Sequence, residues 1–363
     1  MAARSERFRH RSVALKLNLR RMEGSMDLCE AFVWVVISFL PGMDCFPMIL
    51  CVTLNPCLDK TLTVPSWRRG DLVRGVAVRE VVGGKGNNVA RALKRLGRSA
   101  RPVTFLGGWV GQHCGELLHR DDGLDPITVL TEAPTRVILT VLTQSTTEQT
   151  AFFDPDPAIT PAEADALIDR VQQALSQPGV SALTLSGSSP SPATHGVYSD
   201  LVSLGRTRRI PVFLDTYGPA LEGIWGFWPS VLQLNRREAA GQVGKSAVND
   251  QDVLSLLANW HRHGVTCGVV TDGPNPALVQ VREKRYWAIP PAIHALNPIG
   301  SGDSLLAGLV DAWLAGTDTE PMICHAMGCA AANAVVWDAG AVDPEQVERF
   351  AREVILEPIG RVG

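Results

Sequence analysis

No two cysteines in this chain are spaced C-x-x-C, and the eight present are scattered. Their scatter excludes the usual spacing of a structural zinc site and argues against a disulfide framework, so a reducing, cytoplasmic setting is expected. No long basic run occurs beyond residue 21, and the formal net charge is -3. Neither nucleic acid nor stable membrane association is therefore expected, and a small ligand is the natural partner. The apolar run from Ala31 to Leu40 is too short to cross a bilayer. The glycine turns fit neither G-x-G-x-x-G nor G-x-x-x-x-G-K-[ST], so neither a dinucleotide fold nor a Walker loop is supported. After residue 48 there is no internal repeat, low-complexity block or clean interdomain linker.

What remains is an ordinary globular composition, 45% hydrophobic and 20% charged over 363 residues, large enough for one big α/β domain or two modest ones. Residues 1–47 read differently from the rest, with arginine-rich Arg4 to Arg21 preceding the apolar run. A signal peptide, a peripheral arm and upstream sequence translated from an early start codon all fit this pattern. We expect the functional protein to begin near Met43 or Met48, with one domain over 48–358. From Met48 on, short apolar runs alternate with helical patterns, which predicts a largely parallel sheet covered by helices. The expected strands are Met48 to Leu54, Val103 to Leu106, Ala182 to Ser186, Val212 to Asp215, Val231 to Leu234 and Val269 to Thr271. Thr160-Pro161-Ala162-Glu163 predicts a capping box opening a helix. Val89, Leu93 and Leu96 predict another helix, with Arg91, Lys94 and Arg95 facing away and Gly97 ending it. Two stretches break the alternation, residues 60–82 and 136–153. Both look antiparallel and lid-like, the second as a hairpin through Gln144 to Glu148.

Two glycine turns run straight into helices, and a helix start favours anions. In Asn297 to Gly308, Gly300 and Gly302 flank Ser301, and Asp303 and Ser304 fall in the first helical turn. On this local pattern Asp303 is equally well a helix cap or a functional acid. The second turn, Gly83-Gly84-Lys85-Gly86-Asn87-Asn88, adds a cation and amides suited to sugar hydroxyls and phosphate. Asp59, Ser186 to Pro190, Asp215 and Asn235 to Glu238 follow strand ends, where open α/β sheets bind ligands.

The set T-L-N-P-x-x-D (Thr53 to Asp59), G-G-K-G-x-N-V-A (Gly83 to Ala90), S-G-S-x-P (Ser186 to Pro190), N-x-x-E (Asn235 to Glu238) and N-P-x-G-S-G-D-S (Asn297 to Ser304) resembles the ribokinase-like PfkB carbohydrate kinases. Within them it is similar to the 1-phosphofructokinase and tagatose-6-phosphate kinase branch. The resemblance spans residues 48 to 355 and implies a three-layer α/β/α core with a small β-sheet lid. It implies ATP-dependent, Mg2+-requiring transfer to a phosphorylated ketohexose. Fructose 1-phosphate is the first choice, with tagatose 6-phosphate or fructose 6-phosphate next.

Carried over by position, the resemblance makes Asp303 the base, and Gly300, Ser301 and Gly302 the anion hole. Asp59, Gly84 and Asn88 would meet sugar hydroxyls, and Ser186 belongs to the substrate side. Lys85 and Arg136 would hold the substrate's own phosphate, with Arg74 a further candidate from the lid. Asn235 and Glu238 would organise Mg2+, Glu238 through water. Thr271, Gly273 and Asn333 would lie on the nucleotide side. Lid strands in that family often pair between subunits, so the resemblance implies a homodimer. One departure is Gln233-Leu234 where the family has Lys-Pro, which removes a cation expected near the nucleotide phosphates. That gap and the unusual N-terminal arm leave room for a rival, a sugar-phosphate-binding regulator with weak catalysis. Cys324, His325 and Cys329 lie in an apolar helical stretch and are not expected to bind metal. His261 and His263 suit a helix end, and Trp225, Trp228 and Trp287 suit packing.

Overall fold

The structure, a computed structural model, describes residues 47–146, 148–224 and 226–360. The expected N-terminal extension, apart from residue 47, and Trp225 lie outside the described residues. The chain runs β1 (Met48–Thr53), β2 (Cys57–Val64), β3 (Ala77–Gly83), α1 (Lys85–Arg95), β4 (Ser99–Gly107), α2 (Gly108–Arg120) and β5 (Ile127–Thr131). It continues through β6 (Arg136–Thr143), β7 (Gln149–Phe153), α3 (Pro161–Leu175), β8 (Val180–Ser186), α4 (Val197–Thr207), β9 (Val212–Asp215) and α5 (Pro219–Glu222). The remainder is β10 (Val231–Asn235), α6 (Arg236–Gln242), α7 (Asp250–Arg262), β11 (Cys267–Asp272), β12 (Asn275–Val281), β13 (Lys284–Ile289), α8 (Ser301–Leu314), α9 (Thr319–Ala334), α10 (Pro344–Glu353) and β14 (Ile355–Pro358).

Ten strands form one sheet in the order β14-β13-β12-β11-β10-β9-β8-β1-β4-β5. The seven from β11 to β5 are parallel, whereas β12, β13 and β14 add antiparallel at one edge. All six expected strands form. The strand β5 and the antiparallel edge were not anticipated: β12 and β13 are joined by a tight turn rather than a crossover helix, so the alternation rule gave no signal for them.

Alternate residues of β1 enter opposite layers, Ile49 and Cys51 one core and Leu50 and Val52 the other. The first core is closed by α1, α2, α8, α9 and α10 through residues such as Leu93, Leu118, Leu306, Ile323 and Val347. The second is closed by α3, α4 and α7 through Leu167, Tyr198, Leu201 and Trp260. Helix α3 opens on the expected box: Thr160 Oγ1 accepts from the Glu163 N–H at 3.3 Å, and Glu163 Oε2 from the Thr160 N–H at 2.7 Å. Trp228 is buried and Trp287 packs partly against the second core. Among the described residues no helix is long and apolar enough to cross a membrane.

The lid is a separate sheet ordered β3-β2-β6-β7. Its two hairpins are antiparallel as expected, but β2 and β6 pair parallel, Cys57 against Arg136 through Val64 against Thr143. A second correction concerns Arg91. Lys94 and Arg95 face solvent, but Arg91 is only 4% exposed. All five of its N–H groups are used, on Asp122 (2.7 and 2.8 Å), Asn88 Oδ1 (2.9 Å) and the carbonyls of Ala339 (2.8 Å) and Val82 (2.9 Å). A guanidinium can be buried when every donor has a partner, and helical periodicity cannot see that.

Candidate active site

The chain leaves β1 on one side toward β4 and later returns on the other side as β8, so the strand order reverses at β1. Open α/β sheets bind ligands beyond the carboxyl ends of the strands at such a point. Asn55, Ser186, Asp215 and Asn235 stand at those ends, and both glycine turns open there. Gly84 (φ 105°) precedes α1, and a Cβ on it would meet Thr53 Cγ2 at 2.7 Å. Gly300 (φ 83°) precedes α8, and a Cβ there would meet Ala339 Cβ at 2.5 Å. Neither turn accepts a larger residue in this conformation.

No side chain caps α8; Asp303 Oδ2 instead accepts from Asn88 Nδ2 at 2.8 Å, and the residue is 5% exposed. Burial lifts its pKa from 3.8 to about 7, helped by Asp215 and Glu238 and opposed by Lys85 and the Asn88 hydrogen bond. A carboxylic acid that titrates near neutrality in the first turn of a helix can exchange a proton with a bound hydroxyl.

Lys85, the first residue of α1, crosses to Asp215 Oδ1 at 2.9 Å and Glu238 Oε1 at 3.3 Å, with its ammonium 5.6 Å from the Tyr217 ring centre. Burial disfavours its charge, but Asp215, Glu238 and Asp303 outweigh burial and the net shift is upward. It is thus a firmly held cation among three carboxylates. Burial also raises Glu238 and Asp59. The N-x-x-E segment is itself a capping box: Asn235 Oδ1 accepts from the Glu238 N–H and Glu238 Oε2 from the Asn235 N–H, both at 2.9 Å.

Arg136 lies at the root of β6, with Nη1 2.8 Å from Asp156 Oδ1. Asp156 also takes Asn55 Nδ2 at 2.9 Å. Ser186 is fully buried and its Oγ has no partner. Asn333 is 1% exposed and spends its amide on the protein, donating to Ile299 O and Ser301 Oγ and accepting from the Gly340 N–H and Ser304 Oγ. It clamps the glycine turn ahead of α8, and its side-chain amide is fully occupied there. Gln233, 3% exposed, donates from Nε2 to the Gly302 carbonyl at 2.9 Å, bracing the same turn where a phosphate-binding cation was expected. Thr271 and Gly273 sit at the end of β11, where Asp272 Oδ2 holds Arg236 Nε at 3.1 Å.

Sequence reasoning missed Asp156, Arg91 and the clamp made by Asn333. Only Asp156 left a trace, an acid between two prolines just after the lid. Cys329 is fully buried, and His325 pairs with Asp311 at 2.8 Å. Among the described residues no group of three or more His, Cys, Asp or Glu side chains could hold a metal ion.

The family profile for pfkB family carbohydrate kinases matches residues 52–347. The chain belongs to that family. A Thermotoga maritima protein described as a possible 1-phosphofructokinase superposes with a TM-score of 0.77 at 24% identity, over 86% of this chain and 100% of that one. Escherichia coli phosphofructokinase-2 in complex with fructose-6-phosphate gives 0.73 at 24% identity, over 85% and 98%. Arabidopsis thaliana ribokinase with ribose and ATP gives 0.65 at 19%, over 84% and 98%. These carbohydrate kinases share the ribokinase-like fold of a large mostly parallel sheet with a small separate one.

Proposed function

We propose that this carbohydrate kinase transfers the γ-phosphoryl group of ATP to a phosphorylated ketohexose, fructose 1-phosphate being converted to fructose 1,6-bisphosphate. One observation carries the reading: a buried carboxylate with a pKa near 7, Asp303, stands in the first turn of α8 beside an open glycine turn. Phosphoryl transfer needs chiefly positioning and charge stabilisation. Asp303 takes the proton of the attacking hydroxyl while the turn of Gly300, Ser301 and Gly302 faces the transferring group. Asn88 aligns the base, Asp59 and Gly84 line the sugar side, Arg136 supplies positive charge for the phosphate already on the substrate, and Lys85, held by Asp215 and Glu238, supplies it beside Asp303. Thr271 and Gly273 flank the nucleotide.

Glu238, whose Oε1 is 3.3 Å from Lys85 Nζ in this structure, would help hold through water a magnesium ion that arrives with the nucleotide, because Mg2+ commonly takes one or two carboxylates and completes its shell with water and phosphate oxygens. The ion would neutralise phosphate charge. Steady-state ADP release with fructose 1-phosphate, fructose 6-phosphate, tagatose 6-phosphate and free fructose tests the reading. The highest kcat/KM is expected for fructose 1-phosphate, and a clear preference for free fructose would overturn it.

A further inference from the structure

Resting on that substrate reading, we propose that Asp156 sets the sugar-phosphate affinity of this kinase, as a built-in carboxylate that occupies the phosphate-binding guanidinium of Arg136 until the substrate displaces it. Asp156 Oδ1 receives both Arg136 Nη1 at 2.8 Å and Asn55 Nδ2 at 2.9 Å. A carboxylate on a guanidinium reproduces the contact that a phosphate oxygen would make. The cluster leaves two polar atoms buried without partners, Arg136 Nε and Asn55 Oδ1. A buried donor with no acceptor is costly and suits an incoming oxygen better than the resting pair.

The presentation of Asp156 is not that of a loose surface acid. Pro155 fixes its own φ, and Pro157 restricts Asp156 to extended backbone. The neighbouring acid is engaged elsewhere: Asp154 Oδ2 accepts from the Val137 N–H at 2.9 Å, closing the end of the lid. The stiff Asp-Pro-Asp-Pro run therefore gives one acid to the lid backbone and the other to Arg136. Arg136 is covered, its side chain 14% exposed, whereas that of Asp156 is 47% exposed and can rotate outward without unpacking the core. A phosphate dianion carries about twice the charge of a carboxylate and can win the exchange. A neutral sugar cannot, so the carboxylate tunes affinity and rejects unphosphorylated acceptors at once.

The test compares wild type with Asp156→Asn, Arg136→Met and the double variant. KM for fructose 1-phosphate should fall about three- to tenfold in Asp156→Asn, the scale of a part-exposed charged pair, and the gain should vanish in the Arg136→Met background. An unchanged or higher KM, or a gain that survives loss of Arg136, overturns the proposal. Calorimetric titration of the same proteins with fructose 1-phosphate, without nucleotide, separates this idea from the choice of reaction. Tighter binding by Asp156→Asn supports the role of Asp156 even where no sugar phosphate is turned over. Equal or weaker binding overturns that role even where turnover is fast.

Discussion

A carboxylate that accepts a proton during turnover must be ionised often enough to act and basic enough to be useful, and a pKa near 7 meets both conditions. With Asp303 at about 7, kcat/KM should rise with pH through about 7 and level off above it. Asp303→Asn should lower kcat by roughly two to four orders of magnitude, while unchanged turnover would end the assignment. Stability should move the other way. The folded-state pKa lies above the unfolded 3.8, so ionising Asp303 removes stability between about pH 4 and 7, with the full loss above that. Asp303→Asn should therefore raise the melting temperature near pH 8 by the equivalent of about 2–4 kcal/mol, with the gain shrinking toward pH 4. Lys85 opposes the upward shift, so Lys85→Met should move the rising limb of the pH profile higher. A limb that stays in place would show that the lysine does not govern the base. At this scale the sequence disclosed the acids and glycines, because backbone freedom and motif spacing are local. It could not disclose that Asn333 and Gln233 point into the protein, since that depends on α9 and β10 meeting the turn from distant parts of the chain.

At the scale of elements, α1 ties the site together. Its first residue, Lys85, reaches Asp215 and Glu238; Asn88 holds Asp303; and Arg91 joins Asn88 to Asp122, to the lid strand through Val82, and to Ala339. Arg91→Met would strand Asp122 and several carbonyls, so a loss of about 3–5 kcal/mol is expected in denaturant titration. The helix itself was legible from the stripe of Val89 and Leu93 and from its Gly97 stop, where the Gly97 and Arg98 N–H groups return to the carbonyls of Lys94 and Leu93. Its inward-facing arginine was not, because an apolar stripe assigns polar residues to solvent by default. In α8, Gly300→Ala combines a φ of 83° with a contact to Ala339. It should cost about 1–3 kcal/mol of stability and most of the turnover.

For the whole molecule, the lid presents an unfinished surface. Most of β2 and β6 is only half-buried, and Val76, Val78, Phe152 and Phe153 are exposed. We expect a homodimer through this sheet, measurable by sedimentation, and Phe152→Asp combined with Phe153→Asp should shift it toward monomer. The largely parallel sheet covered by helices was readable because alternating strands and helices write their period into the sequence. The parallel pairing of β2 with β6 was not, because two segments about seventy residues apart carry no local record of meeting.

That pairing has a kinetic consequence. Asp59 and Arg136 belong to β2 and β6, not to the core sheet, so part of the proposed sugar side would ride on the lid while Asp303 rides on α8. Whatever steadies the lid also preorganises sugar recognition. If a second subunit steadies it, KM for the sugar should climb on dilution below the dimer dissociation constant while KM for ATP holds, making acceptor affinity a readout of protein concentration.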